Sequence, residues 1–236
     1  MLKIGIIGGL SSQSTAQYYI NINKKYVEIF GTFSRAEIII FSVNLQMIML
    51  YAIKSQWEKI ASIFIDIACR LQEIGADFVV IPCNSFHIIA EDVQNAIKIP
   101  LLNIIDSVGR NVLHCGYSKI GLLGSDFTAK NSFYTRRLLN RYNLSVVLPS
   151  AHFQQTLHHI IVSELCYGIL SSESKHFVKF LCENMYAEQK CEAIVLACTE
   201  LPLLLRPQDT IVPLILSTDV HSNDIVNYSL GFYEQD

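Results

Sequence analysis

Two cysteines stand in matching surroundings, and matched thiols can do chemistry that a single one cannot. Cys83 follows the apolar run Phe78-Val79-Val80-Ile81-Pro82 and precedes Asn84-Ser85, while Cys198 follows Ala193-Ile194-Val195-Leu196-Ala197 and precedes Thr199-Glu200. Both runs are apolar throughout, as buried strands are. The residues after each cysteine are small or polar, suited to cap a helix and to offer backbone N–H groups to an anion. A thiol at a helix N-terminus ordinarily has a lowered pKa and can act as a base. Two such thiols on opposite sides of one carbon could take a proton from one face and return one to the other, which inverts a stereocentre.

The matching extends well beyond the cysteines. Lys3-Ile4-Gly5-Ile6-Ile7-Gly8 reappears as Lys119-Ile120-Gly121-Leu122-Leu123-Gly124. Each copy continues into a Thr-Ala pair (Thr15-Ala16; Thr128-Ala129) and then paired aromatics (Tyr18-Tyr19; Phe133-Tyr134). Two matches at nearly one offset mark an internal duplication. Strands are expected at Lys3–Ile7, Ala36–Phe41, Phe78–Ile81, Leu101–Ile104, Lys119–Leu123, Ser145–Leu148, Ala193–Leu196 and Val212–Leu214. Between them lie amphipathic stretches such as Gln56–Glu73, with Ile60, Ile63, Phe64, Ile67 and Leu71 at helical spacing.

Apolar strands alternating with helices imply parallel sheets covered on both faces, so the fold class is α/β. The duplication implies two similar Rossmann-like lobes related by a pseudo-twofold axis, with the site between them. Residues 1–99 plus about 210–236 form the first lobe in this reading, and residues 100–209 the second. Ligands of such sheets bind beyond the carboxyl ends of the strands, where Cys83 and Cys198 both stand.

Composition narrows the function further. Of 236 residues, 51% are hydrophobic and 17% charged, with 18 basic against 21 acidic side chains. A disordered chain has the opposite profile. No Lys/Arg run supplies the footprint of nucleic-acid or anionic-membrane binding, which leaves a small molecule as the partner. The N-terminus enters strand-like sequence directly, and no stretch approaches the roughly 18 apolar residues of a spanning helix, so a cytoplasmic protein is expected. Seven cysteines without a Cys-x-x-Cys pair suit a reducing compartment and no metal. Gly5-x-x-Gly8-Gly9 lacks the dinucleotide spacing and no Gly-Lys-Ser/Thr follows, so neither NAD nor ATP is expected.

Cys83-Asn84-Ser85 and Cys198-Thr199-Glu200-Leu201-Pro202-Leu203 resemble the two signatures of the aspartate/glutamate racemase superfamily. Ile6-Ile7-Gly8-Gly9-Leu10-Ser11 with Ser14-Thr15, Gly121-Leu122-Leu123-Gly124 with Phe127-Thr128, and Ile160-Ile161 with Glu164-Leu165 and Gly168 are similar to its aspartate racemase branch. The Cys-Thr-Glu triplet also resembles that branch; glutamate racemases usually carry Cys-Thr-His and an N-terminal Asp-Ser-Gly.

The resemblance implies a racemase without pyridoxal phosphate or any other cofactor, with Cys83 and Cys198 as paired acid and base. It implies that Asn84, Ser85 and Thr199 hold the substrate α-carboxylate and that Gly9, Leu10 and Ser11 line the same site. Glu200 belongs to this substrate-binding set and could tune the neighbouring thiol or cap the helix that follows. A homodimer is implied as well.

Ser85 stands where the family usually has Thr. Relatives specific for aspartate place basic residues in segments corresponding to 44–54 and 161–168; here Lys54 is the one basic residue in either segment. A side-chain carboxylate without a cationic partner is costly to bury, so a broader or less acidic substrate fits. Met47, Met49 and Leu50 could line an apolar pocket or pack into the core. His87 follows Cys83 by one helical turn and could orient the thiol. Lys130, Arg136, Arg137 and Arg141 read as a solvated helix face, and Cys69, Cys115, Cys166, Cys182 and Cys191 as small buried hydrophobes. A related decarboxylase or isomerase and a non-catalytic anion-binding protein are the alternatives. Replacing either paired cysteine separates them, since binding alone would survive.

Overall fold

Each of the eight apolar runs forms a strand in the computed structural model, which describes residues 1–232. In the first sheet β1 (Ile4–Gly8), β2 (Ile38–Ser42), β3 (Phe78–Val80) and β4 (Leu101–Leu102) lie in the order β2-β1-β3-β4. In the second, β5 (Lys119–Leu123), β6 (Ser145–Val147), β7 (Ala193–Leu196) and β8 (Leu214–Leu216) lie in the order β6-β5-β7-β8. Every pairing is parallel. The protein is therefore α/β with two four-stranded parallel sheets, and β3 and β7 hold the same place in their sheets.

Crossover helices follow the strands, as parallel pairing demands. They are α1 (Ser12–Phe30), α2 (Leu45–Ile53), α3 (Trp57–Glu73), α4 (Ala90–Ala96), α5 (Ile104–His114) and α6 (Asp126–Lys130). Then come α7 (Phe133–Tyr142), α8 (Ala151–Ser163), α9 (Ser172–Ala187), α10 (Leu201–Leu204) and α11 (Ser217–Ser229). In α3, Ile60, Phe64, Ile67 and Leu71 are buried as their spacing predicts, each contributing about 1.5–3 kcal/mol.

Six of the eight strands differ from their expected bounds by one or two residues. Ile104 opens α5, and β8 begins two residues later than its apolar run because Pro213 contributes only its carbonyl, to Ile194 N at 2.9 Å. Strand β2 pairs with β1 alone and exposes Ile40 and Phe41, so the first sheet is not covered along that edge.

The chain divides into two compact units. Unit 1 comprises Met1–Asn103 and the segment from His221 onward; unit 2 is Ile104–Val220. Residues 210–220, grouped with the first lobe on sequence, stay in unit 2 because β8 completes its sheet beside β7.

In unit 1 the core gathers Ile4, Ile6, Phe78, Val80 and Leu102 with Tyr18, Ile22 and Tyr26 of α1 and Ile225 and Val226 of α11. Tyr26 Oη and Ser229 Oγ, 2.7 Å apart, tie the same helices. In unit 2 the sheet separates two clusters by the strand's period of two. Ala193, Val195 and Ala197 join one, while Ile194, Leu196 and Cys198 join the other.

The repeated Gly and Thr positions have one steric explanation. A Cβ on Gly8 would stand 2.7 Å from Thr15 Cγ2, and one on Gly124 would stand 3.2 Å from Thr128 Cβ. In each copy the strand-end glycine admits the threonine of the next helix.

In unit 2, Asp106 of α5 is buried and clamped by α7. Arg137 Nε and Nη2 reach its two oxygens at 2.7 Å each, and Arg141 Nη1 reaches Oδ2 at 2.9 Å. Arg137 is thus mostly buried in an ion pair rather than part of a solvated face. Among the described residues no helix is long and apolar enough to cross a membrane.

Candidate active site

In unit 1 the site residues lie on two neighbouring turns, after β1 and after β3. Gly9 takes φ +82°, and a Cβ there would come within 2.5 Å of Val43 O, so the turn requires glycine. Gly9 N donates to Thr15 Oγ1 at 2.9 Å, and Thr15 Oγ1 donates to Ser11 O at 2.9 Å. Ser11 caps α1 by accepting from Ser14 N at 3.0 Å. Leu10 is buried beside it. Ser14 Oγ then donates to Pro82 O at 2.6 Å, joining the α1 N-terminus to the turn that carries Cys83.

Cys83 is half-buried and Asn84 is buried. The chain after them forms a 3-10 helix, Ser85–Ile89, rather than a full α-helix, and Asn84 makes no side-chain cap there. His87 lies within that turn, its Nδ1 2.8 Å from Cys83 O.

In unit 2 Cys198 follows β7, with Ala197 N bound to Leu123 O at 2.7 Å. Cys198 and Glu200 are each only 8% exposed. Cys198 Sγ donates to Glu200 Oε2 at 3.1 Å, and Thr199 Oγ1 donates to the same oxygen at 2.7 Å. Glu200 therefore folds back over the thiol, and its side chain does not cap α10.

The helix-N-terminus expectation of a lowered thiol pKa does not hold at Cys198. Burial, and then the Glu200 charge, push this thiol well up, outweighing the Glu200 backbone N–H that favours the thiolate. The protonated form of Cys198 is therefore favoured, its S–H directed at Glu200 Oε2. Burial and Glu200 also push Cys166 up, to about 11.

The segments expected to contact a substrate side chain lie on α2 and at the end of α8. On α2, Met47 and Leu50 are 41% and 54% exposed, so they do not pack into the core. Lys54 is exposed at the end of that helix. In the other segment Glu164 Oε2 accepts from Ser174 Oγ at 2.6 Å. Cys182 and Cys191 are buried as expected, whereas Cys115 and Cys166 are exposed.

Within unit 1 the fold brings together Leu10, Ser11, Cys83, Asn84 and Ser85; within unit 2 it brings together Cys198, Thr199 and Glu200. The profile of the family described as Asp/Glu/Hydantoin racemase matches residues 7–225. The chain belongs to this family.

It is a racemase by family, an isomerase, and aspartate-racemase-like. It is 33% identical to a candidate Asp/Glu racemase from Yersinia pestis, with a TM-score of 0.92 and coverage of 98% of this chain and 100% of that one. Against an aspartate racemase homologue from Pyrococcus horikoshii OT3 it is 32% identical, with a TM-score of 0.87 over 98% and 100% of the two chains. It is also 23% identical to the broad specificity amino-acid racemase RacX of Bacillus subtilis, over 97% of this chain and 99% of that one.

Sequence reasoning missed His221 and the upward shift of the Cys198 thiol. His221 sits on α11, far along the chain from His87, yet the two rings meet edge to face with centroids 6.1 Å apart, and no local pattern marks it.

Proposed function

We propose that this chain is a cofactor-independent amino-acid racemase that inverts Cα with Cys83 and Cys198 as paired base and acid. One observation carries the reading: a cysteine follows each of the corresponding strands β3 and β7. For one enantiomer, the Cys83 thiolate takes the α-proton, forming S–H as the C–H bond breaks. The electron pair stays on Cα and spreads into the carboxylate, and the Cys198 S–H bond breaks to protonate the opposite face. For the other enantiomer the roles exchange: Cys198, left as the thiolate by the first direction, takes the α-proton, and the Cys83 S–H bond formed there breaks to protonate the opposite face, which restores the starting state.

In this reading Asn84, Ser85 and Thr199, by side chain and backbone amide, hold the α-carboxylate, with Leu10 and Ser11 lining the site. Donors aimed at the developing charge are worth about 3 kcal/mol each.

We infer a substrate range not confined to acidic side chains. Lys54 is the one cation in the two side-chain segments and Met47 and Leu50 present apolar surface on α2. The similarity to a relative named for broad specificity favours the same choice. Family resemblance supports a homodimer.

The test is ¹H NMR in D₂O with both enantiomers of a panel of amino acids, acidic ones first. Loss of the α-proton signal from both enantiomers of one amino acid is expected, and Cys198→Ser or Cys83→Ser should abolish racemisation. Absence of exchange across the panel would return the choice to a related decarboxylase or an anion-binding protein.

A further inference from the structure

Four successive carbonyls of the Cys83 turn each have a donor. Ile81 O accepts from Cys83 N at 2.8 Å, Pro82 O from Ser14 Oγ at 2.6 Å, and Asn84 O from His87 N at 3.2 Å. Cys83 O itself is 2.8 Å from His87 Nδ1. A carbonyl can only accept, so His87 carries a proton on Nδ1 and donates it.

The imidazole is held in that pose from behind. His87 is 4% exposed and its neighbour His221 is fully buried; the two rings meet edge to face with centroids 6.1 Å apart. His221 Nε2 donates to Leu102 O at 3.0 Å, which leaves Nδ1 to accept from the Tyr18 hydroxyl at 3.0 Å. Three elements of unit 1, namely α1, β4 and α11, thereby fix His221, and His221 backs the ring that grips the Cys83 carbonyl.

We propose that His87 is a positioning residue for Cys83: its Nδ1–H fixes the Cys83 carbonyl and with it the direction of the thiol, while His87 handles no substrate proton. Its consequence for turnover rests on the two-thiol reading above; its consequence for the thiol does not. A misplacement of about 1 Å costs a reaction up to roughly 100-fold, so loss of this bond should slow turnover by about tenfold.

Two full-length variants separate the donor from the ring. His87→Phe keeps a planar ring without a donor, and His87→Asn returns an N–H close to where Nδ1 stood. Alkylation of Cys83 by iodoacetamide, followed by peptide mass spectrometry, should run several-fold faster in the Phe variant and return to the native rate in the Asn variant. With a substrate found by the exchange assay, kcat should fall about tenfold in the Phe variant, KM should change by less than about twofold, and Asn should recover most of the loss.

Native alkylation and turnover in His87→Phe would overturn the proposal, as would a folded Asn variant that recovers neither. If circular dichroism shows the Phe variant unfolded, His87→Leu takes its place under the same criteria. If the native protein exchanges no amino acid, the racemase reading fails alone and the alkylation comparison still decides the role of His87.

Discussion

In the proposed mechanism a thiol that is to deliver a proton must keep it until the substrate is seated, and the surroundings of Cys198 suit that role. It shares one face of β7 with Ile194 and Leu196, and its sulfur donates to the Glu200 carboxylate. Because burial and then Glu200 raise this thiol, Glu200→Gln should lower its pKa. The pH at which Cys198 becomes half-reactive toward iodoacetamide should fall in that variant, as should the alkaline limb of kcat/KM. An unchanged midpoint would remove Glu200 from control of the thiol. The positions of Cys83 and Cys198 were legible because duplication writes them twice. The upward shift of the Cys198 thiol was not, since neither its burial nor the turn of the Glu200 carboxylate back toward it is encoded by a helix-capping pattern. Arg137 was misread as solvated for a similar reason: its partner Asp106 lies on another helix.

Elements place these residues through a few cross-chain bonds. Ser14→Ala would leave the buried Pro82 carbonyl without its 2.6 Å donor and should cost about 1–2 kcal/mol in urea unfolding, with a slower exchange reaction. The α5–α7 clamp makes a second prediction. Burial pushes the Asp106 carboxyl up, but the Arg137 hydrogen bonds and charge, with Arg141 and Tyr142, outweigh it and hold the group below the ordinary 3.8. A carboxylate depressed by folding stabilises the protein above its unfolded pKa, and that contribution is lost as pH falls through the folded value. Thermal unfolding from pH 7 to pH 2 should therefore show an acid-side loss that Asp106→Asn flattens. Asp106→Ala at neutral pH should cost about 3 kcal/mol by stranding Arg137. Strand existence was readable from apolar runs alone. The 3-10 turn after Cys83 and the start of β8 were not, because both depend on which backbone groups find partners in neighbouring strands and turns.

At the scale of the molecule, the two sheets repeat one strand order, and the duplicated Gly-to-Thr contact shows why the repeat was visible in the first place: the glycine and the threonine must be kept together. The unit boundaries were less legible, because β8 is a short strand whose membership is decided by pairing with β7. A chain ending at Val220 would retain unit 2 but lose Ile225, Val226 and the Tyr26–Ser229 bond from the core of unit 1. It should show one surviving cooperative transition in calorimetry and a sharp loss of solubility, whereas two intact transitions would show that α11 is dispensable.

That discontinuity also governs how the protein is made. Unit 2 is continuous in sequence, so all of its strands are synthesised in one run. Unit 1 begins first, yet its core waits for the part of α11 that follows unit 2, before His221 can stand beside His87. The part of unit 1 made first thus keeps its apolar surface open while all of unit 2 is synthesised.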